Sequence, residues 1–183
     1  MKPSEHFEEH FTSNLQILRE DQSRPEQKRN KTGNLWKKSL AYALEKSGFD
    51  VVIEETHKIN VDGVFFDKMK SDIAIYKNGL LIAIFESKDY FSIDYIRRAC
   101  FELNEICGSY ENDVKGYLFM GRLAMKNTER LERWLNRFNL KCVRMVDEVR
   151  CGGKKMKTVV DTDFDVCYNR VDDLVEELNA LSL

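Results

Sequence analysis

The chain has 183 residues, a mass of 21.5 kDa and a formal net charge of −2, enough for one domain with a full-sized core. With 43% hydrophobic and 33% charged residues and two prolines, its composition is that of a soluble globular protein, and no run of 18 apolar residues provides a membrane span. Five scattered cysteines (100, 107, 142, 151 and 167) form no CxxC pair, which argues for free thiols in a reducing, cytoplasmic setting and against a disulfide framework or a zinc site.

MKPSEHFEEHF at the start has no apolar core, so it reads as no secretion signal. Residues 4–20 have helical spacing, with Phe7, Phe11, Leu15 and Leu18 in one stripe. DQSRPEQKRNKTGN (21–34) is polar and aperiodic and reads as a linker. Residues 1–33 are therefore expected to form an N-terminal helix and basic linker, with 34–183 as a single α/β domain. A helix from Asn34 to Lys46 buries Trp36, Leu40, Ala43 and Leu44 and stops at Ser47-Gly48. FDVVIEE (49–55) is a strand, and 56–70 is ambiguous around an Asp62-Gly63 turn. Strands 72–77 and 80–87 flank Asn78-Gly79, a strong hairpin signal. Ser92 is placed to cap a helix over 93–108. A strand (114–120), a helix (127–138), a strand (141–146) and a final helix (171–181) follow. Residues 150–163 are basic and contain glycine, as a β-ribbon or a loop would. This order fits a mixed sheet flanked by helices on both faces.

Basic residues gather in 24–38 and 115–157 and acidic ones in 159–183. Such a distribution can orient a polyanion even on a slightly acidic protein; a solvated face of alternating helix charges is the plainer alternative.

The hairpin places Asp72, Glu86 and Lys88 beside its most apolar stretch. Glu86 and Lys88 are two apart and share a face. A strict two-residue turn would pair residue 72 with 85 and turn Asp72 away. A three-residue loop, or a bulge elsewhere, puts all three on one face. Converged, two carboxylates suit Mg²⁺, which keeps waters and takes phosphate oxygens, and an ammonium beside them orients a nucleophile or offsets developing charge. The three histidines (6, 10 and 57) are too scattered to suggest a His-based metal cluster.

Asp72 followed by Glu86-Ser87-Lys88 at the end of the next strand resembles the PD-(D/E)xK nuclease superfamily, which includes type II restriction endonucleases, archaeal Holliday junction resolvases and RecB-like nucleases. The resemblance spans roughly residues 34–146. It implies a restriction-endonuclease-like core and Mg²⁺-dependent hydrolysis of DNA phosphodiester bonds, with Mn²⁺ as a substitute. The first acid of the pattern matches Asp72, the second Glu86 and the lysine Lys88. Ser71 stands where a proline is nominal. Lys37, one turn after Gly33, stands where many members carry a glutamate. Glu45, Glu54, Glu55 and Asp62 are other candidates for an extra carboxylate. No glutamine follows the lysine on the next helix; Asn104 is the nearest polar group.

By that resemblance, Asp72 and Glu86 hold Mg²⁺ with the carbonyl of Ser87, and Lys88 positions the attacking water. DNA is expected to meet Lys28, Arg29, Lys31, Lys37 and Lys38, then Tyr90, Arg97 and Arg98 beyond the site, and Lys154, Lys155 and Lys157 beside Gly152-Gly153. Tyr90, Phe91 and Tyr95 either stack on bases or pack. A double-strand cut requires two sites, so the expected assembly is a homodimer around duplex DNA, with the apolar stripe of the first helix available to a partner subunit. The preferred reading is a type II restriction endonuclease. The alternatives are a non-catalytic nucleic-acid or protein-binding module, in which Glu86 and Lys88 are a structural pair, and a DNA-repair or RNA-processing nuclease.

Overall fold

The computed structural model describes residues 1–21, 25–61, 64–123, 128–147 and 164–181. Its helices are α1 (Pro3–Glu20), α2 (Pro25–Lys46), α3 (Ile93–Gly108), α4 (Thr128–Arg137) and α5 (Arg170–Ala180). Its strands are β1 (Asp50–Ile53), β2 (Thr56–Val61), β3 (Val64–Lys70), β4 (Ile73–Lys77), β5 (Leu80–Phe91), β6 (Lys115–Leu123) and β7 (Leu140–Arg144). Five strands make one sheet in the order β1-β4-β5-β6-β7. β1, β4 and β5 run antiparallel, while β5, β6 and β7 run parallel through α3 and α4 as crossovers. The expected mixed sheet flanked by helices is what forms. The ambiguous segment 56–70 becomes a separate antiparallel ribbon, β2–β3.

Both faces of the sheet are covered, which is why its central strands are apolar on both sides. One face carries α1, α2 and α5, with Phe7, Phe11, Trp36, Leu40, Leu174 and Leu178 against Ile73, Phe85 and Phe119. The other carries α3 and α4, with Ile96, Leu103, Leu131 and Leu135 against Ala74, Ile84, Leu118 and Met120.

Two expectations need correcting. Most of 21–34 is helix, not linker: α2 starts at Pro25, nine residues before the expected cap Asn34. Proline fits the first helical position because it needs no amide partner there, and Glu-Gln-Lys-Arg is good helix-forming sequence whatever its polarity. Hydrophobic periodicity is silent in such a stretch. The stripe on α1 is also occupied within the chain. The Phe7 and Phe11 rings stack at 5.6 Å, and Phe11 lies 4.3 Å from the Trp36 ring. The Ser4 amide and hydroxyl both donate to the Asp172 carboxylate at the start of α5.

β4 and β5 meet through a two-residue turn in which Asn78 and Gly79 both have positive φ (53° and 77°), the geometry that matches strand twist. Tyr76 pairs with Leu81 but Ile75 with Ala83, so Ile82 is an extra residue, a β-bulge. Ile82 and Ala83 therefore face the same cluster, while Leu81 faces the other. Alternation alone assigns Leu81 and Ile82 the opposite way. Beyond the bulge the pairing reads Ala74 with Ile84 and Ile73 with Phe85.

Candidate active site

The bulge sets the geometry of the charged residues. After the last pair, Ile73 with Phe85, the Asp72 amide donates to the Phe85 carbonyl at 3.0 Å, and the Ser87 amide donates to Asp72 Oδ2 at 2.8 Å. Asp72 is thereby pinned next to Glu86. The sequence allowed convergence through a three-residue loop or through a bulge elsewhere; the second route is taken. Asp72, Glu86 and Lys88 line one cleft of about 430 Å³. β3 supplies one wall (Asp67 to Lys70), and Tyr95, Arg98 and Glu102 of α3 supply the other. The hydroxyl of Ser92 accepts the Tyr95 amide and starts α3 beside the cleft, as expected of that serine.

Glu86 is 8% exposed. Burial pushes its carboxyl up to about 8, and the neighbouring Asp72 charge adds to the rise while Lys88 opposes it. The Lys88 ammonium lies 5.1 Å from the centre of the Tyr95 ring. Burial pulls the Lys88 pKa down, but the Tyr95 hydroxyl and the charges of Asp72 and Glu86 outweigh it and leave the ammonium more basic than usual. Lys88 therefore stays cationic at neutral pH.

Lys37 takes a place that the sequence reading did not give it. Expected on a DNA-facing surface, it is 5% exposed and bridges Glu54 Oε1 at 2.8 Å and Asp72 Oδ1 at 3.4 Å. Glu54 also meets Lys70 at 2.9 Å, and the two lysines hold its carboxyl down to about 2. Glu54 sits at positive φ (59°), a backbone state uncommon outside glycine that swings the chain off β1 at the rim of the cleft. A signal for Lys37 was present: Lys37, Ala41 and Leu44 follow the i, i+4, i+7 spacing of a buried helix face.

The remaining expected contacts are dispersed. Arg98 lines the cleft and bonds Glu102 at 2.8 Å; Arg97 is exposed and pairs with Asp94. Lys31 is paired with Asp21. Lys38 is exposed near His10, whose pKa is lowered by burial and then by the Lys38 charge. Lys28 and Arg29 lie on α2 and Tyr90 on β5, but their side chains are outside the described residues, as are Lys154, Lys155, Lys157 and Asp62 entirely.

Two buried polar networks support the cleft from behind. On the opposite face of β5, Asp89 accepts from Trp36 Nε1 at 2.9 Å and from Arg122 at 2.7 Å, tying α2, β5 and β6 together. Behind Asp72, His57 bridges the Ser71 hydroxyl and the Tyr110 hydroxyl, each at 2.8 Å, and burial lowers its pKa. Neither network was expected from sequence, because its members lie on different elements. The described cysteines are free, and burial pushes the thiols of Cys100, Cys107 and Cys142 up to about 12, so they behave as packing groups.

No group of three or more His, Cys, Asp or Glu side chains suited to a metal ion occurs among the described residues. Mg²⁺ needs no such cage, since it is held by one or two carboxylates plus water and substrate oxygens. The adjacent Asp72 and Glu86 carboxylates fit that requirement. Among the described residues no helix is long and apolar enough to cross a membrane.

No protein-family model matches the chain, and no curated protein does. Among solved structures, the chain is similar to NucC of P. aeruginosa ATCC27853 in its cAAA-bound form, with a TM-score of 0.61 and 12% identity over 98% of this chain and 90% of that one. A protein of unknown function, AF1548, overlaps 62% of this chain and 59% of that one, at a TM-score of 0.40 and 10% identity. The similarity to NucC is one of fold: the same architecture is built from a nearly unrelated sequence.

Proposed function

We propose that the chain is a Mg²⁺-dependent endodeoxyribonuclease that cuts duplex DNA as a homodimer, in the manner of a type II restriction endonuclease. The observation that carries this reading is the convergence of Asp72, Glu86 and Lys88 on one cleft, brought about by a bulge. The resemblance of the motif to the PD-(D/E)xK pattern supports it, and the fold shared with NucC shows that the whole chain adopts one known architecture.

In this reading Asp72 and Glu86 would hold the ion, which when bound supplies Lewis-acid polarisation of the phosphate and charge neutralisation. Ser87 N–H fixes the Asp72 carboxylate, leaving its other oxygen toward Lys37. Lys88, cationic and steadied by Tyr95, orients a water for in-line attack and offsets charge as it develops on the phosphate. Lys70 lies at the rim of the cleft and can seat a neighbouring phosphate once Glu54 releases it.

Plasmid and short-duplex DNA incubated with Mg²⁺ tests this. Cleavage is expected with Mg²⁺ or Mn²⁺, none with chelator, and a loss of roughly 10²–10³-fold or more in Lys88→Ala and Glu86→Ala. Cleavage indifferent to both substitutions sinks the assignment. Sedimentation of the protein with and without duplex is expected to show a dimer; a monomer nicking one strand points to a repair or processing nuclease instead.

One observation favours a second reading. The Lys37 ammonium already compensates Asp72, so the pair is self-consistent without a cation. In a non-catalytic nucleic-acid or protein-binding module on this fold, titration with Mg²⁺ by calorimetry gives no heat that depends on Asp72 or Glu86, and no DNA is cut.

A further inference from the structure

The β2–β3 ribbon has two unlike faces. In its pairing, His57 stands opposite Met69 and Ile59 opposite Asp67, and this face turns inward, with His57 and Ile59 each 1% exposed. On the outward face Lys58 stands opposite Lys68, and Thr56 opposite Lys70. All four are exposed. Toward the far end Asn60 pairs with Phe65, and the register slips by one so that Phe66 is the extra residue. Phe65, paired with Asn60, lies on the lysine side, and Phe66 is the unpaired residue of the bulge beside it. Phe65 is 55% exposed and Phe66 68%. Two large aromatic rings in water beside cations are a costly surface for folding alone. Among the described residues, Lys58 and Lys68 form no ion pair that would neutralise them.

The position of this face gives it a use. The base of the ribbon, Lys68 to Lys70, is itself a wall of the Asp72/Glu86/Lys88 cleft. From Asp72 to Phe66 is six residues, at most about 20 Å of strand. A DNA strand advances by about 3.4 Å per nucleotide, so about six nucleotides span that length. We infer that the outward face of the ribbon is a DNA-binding surface, in which Lys58 and Lys68 hold phosphates and Phe65 and Phe66 pack against bases about six nucleotides from the bond in the cleft. The inference rests on the nuclease reading and adds to it where the DNA lies. Lysines alone fit any polyanion, and phenylalanines alone fit any apolar partner. Following one another along a ribbon that leads into the cleft, lysines nearer it and phenylalanines beyond, they match a strand of phosphates and base faces.

Binding without cleavage separates this inference from the reading beneath it. Fluorescence anisotropy with labelled single-stranded and duplex DNA of about 20 nucleotides, in chelator and across a salt series, is the measurement. Phe65→Ser/Phe66→Ser is expected to weaken binding about 10-fold or more with the salt slope unchanged, and Phe65→Tyr/Phe66→Tyr to retain it. Lys58→Ala/Lys68→Ala is expected to reduce the log–log salt slope by about 1.4 for single strands and about 1.8 for duplex. The preferred form of DNA is the one on which the Phe pair costs more. Wild-type binding that both variants leave intact overturns the ribbon while leaving the nuclease reading standing. Absence of wild-type binding overturns both. A Ser variant that turns a dimer into a monomer while binding DNA normally assigns the face to a second copy of the chain and overturns the inference. The lysine and tyrosine variants give their readout even if the serine variant fails to fold.

Discussion

Glu86 is a carboxyl that folding makes reluctant to ionise. Buried beside Asp72, it sits near 8 in the fold against an ordinary 4.5. Between those two values the folded chain binds more protons than the unfolded chain, so stability falls as pH rises across the window. In chelator, the melting temperature of wild type is expected to fall more steeply from pH 5 to pH 8 than that of Glu86→Gln, which cannot ionise. Parallel curves would show that burial does not raise this group. Adding Mg²⁺ at pH 8 is expected to raise the melting temperature of wild type and to leave the Gln variant nearly unmoved, because a cation bound only by the folded state shifts the equilibrium toward it. At this scale the sequence singled out charged residues but said little about their company. Asp72, Glu86 and Lys88 stood out as charges at the ends of an apolar hairpin, but the bulge that brings them to one cleft did not. The burial of Lys37 left a mark in helix spacing, but its pairing with Glu54 did not, because a salt bridge between a helix and a strand end is invisible to local periodicity.

Elements with apolar stripes were the readable ones. α3 and α5 fall within a residue or so of their expected bounds, each with a continuous buried row. The start of α2 was hidden by its own polarity, and the β2–β3 ribbon by its exposed phenylalanines, which interrupt the alternation expected of a strand. The bulge at Ile82 is the largest gap, since Asn78-Gly79 announces a turn but not a slip five residues from Lys77. Packing between elements has its own critical point at Gly121 on β6, where a Cβ would meet the Trp36 ring at 2.7 Å. The indole lies fully buried there and holds Asp89, so it has little room to retreat. Gly121→Ala is expected to cost about 1–3 kcal/mol, as overpacked core sites do. At roughly 2–4 °C per kcal/mol for a chain of this size, a thermal melt reads the loss directly. An unchanged melting temperature would mean that α2 shifts freely on the sheet, contrary to the Trp36–Asp89–Arg122 tie.

Across the whole molecule, two helical layers enclose one mixed sheet, and the cleft opens where the antiparallel and parallel halves meet on β5. That meeting point also divides the chain in time. β4 reaches β5 across two residues, whereas β6 reaches β5 only after the whole of α3, and β7 reaches β6 only after α4. Closing a short loop costs little entropy and closing a long one more, so pairings distant in sequence are the slow ones. In a refolding experiment with pulsed hydrogen exchange, amides of β4 and of the first half of β5 are expected to become protected before those of β6 and β7. Simultaneous protection across the sheet would contradict this order. Asp72 and Glu86 would then be neighbours early in folding, with their charges facing each other before α3 and β6 arrive to bury them.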